Sequence, residues 1–112
     1  MKEVNRSVIV VRAKEPFLQW INSLPDPGNF ALDEVNRDST AFLLPEYEDD
    51  SEMEKLLRCY YSFIFEEQLY DWWRDQDAWP QKRNLKIFKE WFDVDFHCMV
   101  FDLVEKPLMK FE

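Results

Sequence analysis

The chain has 112 residues, of which 46% are hydrophobic and 17% aromatic, and it carries a formal net charge of −9 at pH 7. This length predicts a single domain over residues 1–112, with a core over about 7–104 and a loosely held tail at 105–112. The only glycine, Gly28, excludes the glycine-rich loops that bind nucleotide phosphates. The negative charge opposes binding to nucleic acid and to anionic membrane surfaces, and we expect neither as a partner.

The first half of the chain predicts a strand, a helix and a second strand. Residues 7–13 (SVIVVRA) are a β-branched run typical of a strand buried on both faces. Pro16 suits the first turn of a helix, and the sequence PDPG at 25–28 ends that helix. Residues 39–45 predict the second strand, whereas residues 29–38 fit either a loop or one helical turn.

The second half predicts two helices and a third strand. A long helix from Ser51 to about Trp73 follows from apolar residues at helical spacing, with a capping box between Ser51 and Glu54. Residues 74–79 form a linker, and a third helix runs from Pro80 to about Phe92. Residues 96–104 (FHCMVFDLV) predict a strand buried on both faces.

The predicted fold class is α+β, or a small α/β fold, with the order β-α-β-α-α-β. The first strand–helix–strand unit suggests a right-handed crossover between parallel strands, and therefore a three-stranded mixed sheet packed by helices. The apolar strands favour helices on both faces of this sheet.

An acidic run and a few titratable residues are the candidates for chemistry. Residues 46–54 (EYEDDSEME) hold six acids but no glycine, so we expect a solvated helix start and no metal site or cofactor. His97 is the only histidine, and Asp75 and Asp77 are the carboxylates to test beside it as catalytic residues. Adjacent strand residues point to opposite faces, so Cys98 and His97 cannot form one site.

The sequence YDWWRDQDAWP at residues 70–80 holds three of the five tryptophans. Its first interpretation is a corner of the core, since large rings bury much area at a helix–helix junction. Its second is an aromatic patch that anchors a protein partner, because tryptophan, tyrosine and arginine are preferred anchors. The candidate partner-binding residues are Tyr70, Trp72, Trp73, Arg74 and Trp79.

Several segments together resemble a family of small, acidic bacterial proteins of uncharacterised function. They are VIVVRAKEPFLQWINSLPDP, FLLPEYED, IFEEQLYDWW, and WP followed by FKEWFDVDFHCMVFDL. The likeness spans about residues 7–103 and implies a bacterial cytosolic single domain. It implies no activity and no site residues.

These observations favour a non-enzymatic protein-interaction or regulatory module whose partner is unknown. One alternative is an acidic decoy that inhibits a basic nucleic-acid-binding protein, and another is a small hydrolase or metal-binding enzyme using aspartates with His97. The basic stripe at Lys82, Arg83, Lys86 and Lys89 is typical of a solvated helix face. It would also suit an acidic partner, or the acidic run of a second copy in a homodimer. The short N-terminal apolar run and the two free thiols, Cys59 and Cys98, predict a cytoplasmic location.

Overall fold

The computed structural model describes residues 1–25 and 28–112, so the turn predicted at 25–28 lies partly outside the described residues. In this part of the chain, a three-stranded sheet packs against helices, and a short two-stranded ribbon extends from it. The strands are β1 (Lys2–Glu3), β2 (Ser7–Ala13), β3 (Thr40–Leu44), β4 (Phe92–His97) and β5 (Phe101–Asp102). The helices are α1 (Glu15–Asn22), α2 (Leu32–Val35), α3 (Ser51–Trp72) and α4 (Leu85–Trp91).

The sheet has the strand order β3-β2-β4, and both pairings are antiparallel. The predicted parallel crossover and mixed sheet are therefore wrong. The chain leaves β2 at Ala13 and returns at the same end of the sheet, where Thr40 pairs with Val11. The side chain of Asn36 fixes this return, since its Oδ1 accepts from Ala13 N at 2.7 Å and its Nδ2 donates to Ala13 O at 2.9 Å.

In the part of the chain that the structure describes, helices cover one face of the sheet and not the other, so the prediction of strands buried on both faces is wrong. Along β2, Ser7, Ile9, Val11 and Ala13 are buried, whereas the residues between them are partly exposed. The residues on the uncovered side, which we call the open face, are Val8, Val10, Arg12, Ala41, Leu43, Asp93, Asp95 and His97.

The third helix lies within its predicted range but is shorter, and the third strand begins four residues earlier than predicted. Residues 80–84 are not helical, and α4 begins after Asn84, whose side chain accepts a hydrogen bond from Ile87 N at 2.9 Å. Strand β4 starts at Phe92 because residues 92–97 alternate between apolar and polar side chains, as a strand covered on one face requires. The chain leaves the strand conformation after His97, and only Phe101–Asp102 of the remaining predicted strand is extended and paired.

The ambiguous segment at residues 29–38 and the acidic run at residues 46–54 both adopt defined local structure. Residues 29–38 contain α2 followed by a 3-10 turn at Asn36–Asp38, which adds a helix to the predicted order. The capping box predicted between Ser51 and Glu54 is wrong. The carboxylate of Glu52 instead accepts from the backbone N–H groups of Glu48 and Asp49 at 2.8 and 3.2 Å, and Glu54 forms an ion pair with Lys89 at 2.7 Å.

One cluster of buried side chains joins the sheet to α1, α3 and α4. Phe65 and Phe88 are fully buried at its centre, and their ring centroids are 5.8 Å apart in an edge-on arrangement. Phe17 of α1 contacts the first residue of β4, Phe92, at a centroid distance of 4.7 Å. Among the described residues, no helix is long and apolar enough to cross a membrane.

Candidate functional site

Helix α3 has one side in the core and another beside strand β3. Ile64, Phe65 and Leu69 are buried against the sheet. Tyr60, Phe63, Glu67 and Tyr70 follow a second stripe, because steps of three and four residues keep side chains on one side of a helix. Phe63 is 70% exposed and Tyr70 is 46% exposed, so this second stripe has no covering layer.

The second stripe of α3 and strand β3 form the walls of a groove of about 590 Å³, which we call the β3–α3 groove. Phe42 and Leu43 line it from the strand, and Tyr60, Phe63 and Tyr70 line it from the helix. Leu43 is 47% exposed. The groove is therefore an open, mainly apolar surface with aromatic side chains on one wall.

Trp79 lies at the bottom of this groove and is 6% exposed. Its indole Nε1 donates to the carbonyl of Trp73 at 2.7 Å. The guanidinium of Arg83 lies 5.7 Å from the Trp79 ring centroid and 3.7 Å from the Glu66 carboxylate. These contacts hold the bottom of the groove in place and leave its aromatic wall free.

Strand β3 is an edge strand, since β2 is its only partner within residues 1–25 and 28–112. The outer edge of such a strand presents N–H and C=O groups that can pair with another extended segment. In this protein that edge runs along the β3–α3 groove. A segment that paired with β3 would therefore also place side chains against the apolar wall of α3.

Of the predicted partner-binding residues, some line this groove and others lie in a closed corner of the core, and Trp79 belongs to both. Tyr70 and Trp79 line the groove. Trp72 and Trp73 are half-buried, and Trp72 contacts the ring of Phe30 edge-on at 5.1 Å. Arg74 is exposed and lies 5.4 Å from the Tyr70 ring centroid, where a cation–π contact is possible.

The corner at residues 70–80 is closed by hydrogen bonds as well as by packing. The indole Nε1 of Trp20 donates to the carbonyl of Ala78 at 2.9 Å. The carboxylate of Asp75 accepts from Asp77 N at 3.0 Å and starts the 3-10 turn at Gln76–Ala78. Asp75 therefore has a structural role in this turn.

The three candidate catalytic residues lie in two separate parts of the fold. His97 is exposed on the open face at the end of β4. Asp75 caps the 3-10 turn at Gln76–Ala78, and Asp77 lies within it. The hydrogen bond from Trp20 of α1 to Ala78 connects this turn to the helical layer. Among the described residues, no group of three histidine, cysteine or acidic side chains could hold a metal ion.

On the open face, Asp95 forms a hydrogen-bonded ion pair with Arg12. This hydrogen bond lowers the pKa of Asp95 below its ordinary value, and the nearby charge of His97 acts in the same direction. Near the same end of β4, burial raises the pKa of the Tyr47 hydroxyl, and Cys98 beside it contributes. Cys98 and Cys59 are both exposed free thiols.

A second, smaller cavity of about 260 Å³ lies beside Trp72. Gln68 and Asp71 from α3 and Asn36 from the 3-10 turn line it. Gln68 is 9% exposed, and its Nε2 has no hydrogen-bond partner among the described residues. We call this buried amide without a hydrogen-bond partner the polar defect.

Phe63 and Leu43 are among the groove residues that the sequence analysis missed. Helical spacing places Phe63 on the same stripe as Tyr60 and Tyr70, which could have marked an apolar stripe away from the core. Leu43 gave no such signal, because only the antiparallel sheet order puts its strand at an edge beside α3.

Comparisons with protein-family models, curated proteins and solved structures found no significant match to this chain. The resemblance to small acidic bacterial proteins stays a prediction, and the functional argument depends on the geometry of the groove.

Proposed function

We propose that the protein is a non-enzymatic interaction module that binds an extended segment of a partner protein in the β3–α3 groove. The observation that carries this proposal is the position of the exposed aromatic wall, Phe63 and Tyr70, beside the free edge of β3. Backbone pairing with the edge strand supplies affinity, and the apolar wall selects the side chains that face it.

The charges around the groove indicate the chemistry of the partner segment. Glu66 is paired with Arg83 at 3.7 Å. Among the described residues, Glu67 has no cation within ion-pair distance. The whole chain carries a net charge of −9, so a segment with apolar residues and lysine or arginine fits the groove better than an acidic one.

This proposal has more support than the alternatives of a hydrolase or a metal enzyme. Those functions need carboxylates that converge on His97. His97 instead lies on the open face beside Asp95 and Arg12, whereas Asp75 and Asp77 lie in the helical layer. The basic stripe offers less to an acidic partner than its sequence suggests, because Lys89 and Arg83 already pair with Glu54 and Glu66.

A selection from a displayed library of random peptides tests the proposal. We expect the selected peptides to be extended, apolar and basic, and to shift the backbone amide signals of residues 40–44 in NMR spectra. The variant Phe63→Asp should lose this binding. Met99→Asp is a matched control, because Met99 is 67% exposed but lies outside the groove.

Two results would contradict the proposal. Peptides that bind wild type and Phe63→Asp equally well would place the binding site elsewhere. A selection that enriches no peptide with the properties above would leave the groove without a binding role.

A further inference from the structure

The C-terminal segment has the properties expected of a ligand for the groove. Residues 103–112 (LVEKPLMKFE) are exposed throughout. Their large apolar side chains are between 65% and 85% exposed, and these are Leu103, Val104, Leu108, Met109 and Phe111. The charges of Lys106 and Lys110 balance those of Glu105 and Glu112 over the whole segment, and within residues 107–111 the single charged residue is Lys110. Such a concentration of uncovered apolar side chains marks an interaction surface.

The segment leaves β5, which follows β4 at the edge of the sheet opposite β3. In the ribbon, Phe101 pairs with Glu3 and Asp102 with Lys2, and residues 104–107 lie beside residues 1–4 around a cavity of about 310 Å³. The carboxylate of Asp102 accepts from Val104 N at 2.8 Å and helps to fix this departure. From this edge the segment would have to pass β2 to reach its own β3, a restriction that does not apply to the β3 of another molecule.

On these observations, and resting on the proposed function of the groove, we propose that residues 107–111 of one copy pair with β3 of a second copy in the β3–α3 groove. The five residues match the five residues of β3. Pro107 lacks an N–H group and is tolerated at the first position of an added strand. If both copies exchange their segments, the dimer is symmetric and closed.

The alternation of side chains assigns each residue of the segment to a side of β3. Leu108 and Lys110 lie on one side of an extended chain, and Met109 and Phe111 lie on the other. We place Leu108 against Phe63 and Lys110 beside Glu67 on the helical side. Met109 and Phe111 then lie over Leu43 and the open face, where the sheet has no covering layer.

Sedimentation equilibrium of the full chain over a range of concentrations tests the dimer. We expect a dimer whose dissociation constant rises by about tenfold or more in Leu108→Asp and in Phe63→Asp, since each removes an apolar anchor. Met99→Asp should leave the constant unchanged. Far-UV circular dichroism of each variant establishes that the fold is retained.

A charge exchange tests the assigned orientation. Lys110→Glu and Glu67→Lys should each weaken the dimer, because each places like charges together. The double variant should restore most of the lost affinity. Weakening that only adds up in the double variant would contradict the proposed Lys110–Glu67 contact, and with it the assigned orientation.

The remaining outcomes separate this inference from the function on which it rests. A monomer at every concentration would overturn the two-copy proposal. If the amide signals of residues 40–44 in that monomer differed between Leu108→Asp and wild type, the segment would lie in the groove of its own molecule. A dimer whose dissociation constant is the same in wild type, Leu108→Asp and Phe63→Asp would also overturn the two-copy proposal. In each case the binding of library peptides to the groove still decides the proposed function.

Discussion

The tryptophan corner at residues 70–80 and the β3–α3 groove are neighbours with opposite properties. In the corner, the indole N–H groups of Trp20 and Trp79 donate to backbone carbonyls at 2.9 and 2.7 Å, and Trp79 is 6% exposed. In the groove, Phe63 is 70% exposed and has no covering layer. The comparison teaches that a high density of aromatic residues marks a buried core corner here, whereas Phe63, outside that dense stretch, belongs to the exposed surface that we propose as the binding site.

The largest expected effect comes from truncating the same kind of side chain in both regions. Trp79→Ala should lower the free energy of unfolding by about 3–5 kcal/mol, because it leaves a cavity in the core. Phe63→Ala should change it by less than about 0.5 kcal/mol, since the ring is exposed. Urea unfolding at a concentration where the chain is monomeric measures both values.

Trp79→Phe provides a second variant in case Trp79→Ala does not fold. It retains most of the apolar area but loses the hydrogen bond to the Trp73 carbonyl, which should cost about 1 kcal/mol or more. Equal losses for Trp79→Ala and Phe63→Ala would show that the corner and the groove do not differ in the way the geometry indicates.

Sequence patterns predicted the elements whose burial is local and regular. Helix α3 ends within one residue of its prediction, and β2 has the predicted bounds, because a long periodic stripe and a β-branched run each specify one conformation. Strand β4 was displaced because its apolar residues, Phe92, Val94 and Phe96, continue the apolar residues of α4. The alternation of Asp93, Asp95 and His97 with them was the overlooked signal.

The topology and the groove could not be predicted in this way. Antiparallel pairing depends on where the chain returns to the sheet, and the contact between Asn36 and Ala13 that fixes this return spans 23 residues. The groove arises where an edge strand meets the outer stripe of α3. Tyr70 and Trp79 were predicted as partner-binding residues from composition, but their position beside Leu43 and Phe63 depends on that sheet order.

The polar defect next to the closed corner gives the next expected effect. Gln68→Leu should raise the free energy of unfolding by about 1–3 kcal/mol, because it removes a buried amide without a partner and retains the side chain's bulk. Glu67→Leu is the matched control at the exposed neighbouring position and should be close to neutral in the monomer. Urea unfolding measures both variants. A destabilised Gln68→Leu would mean that this amide holds a ligand or an ordered water in the cavity.

The smallest expected effect lies on the open face, where the exposed surface is charged instead of aromatic. The hydrogen bond from Arg12 holds the pKa of Asp95 below its ordinary value of 3.8. The contact therefore stabilises the fold above that value, and its contribution is lost as the pH falls through the lowered pKa of the folded state. Both side chains are about half exposed, so solvent screens the interaction and the effect should be small.

Asp95→Asn isolates this contribution. Its free energy of unfolding should be slightly lower than that of wild type at pH 6, and the difference should shrink towards zero at low pH, as the pH falls through the lowered pKa of Asp95 in the folded state. Urea unfolding across this pH range gives the difference. In an Arg12→Gln background the substitution should have no effect at either pH. A difference that persists there would assign the effect of Asp95 to His97 or to the β4 backbone, and the ion pair would not contribute to the stability of the open face.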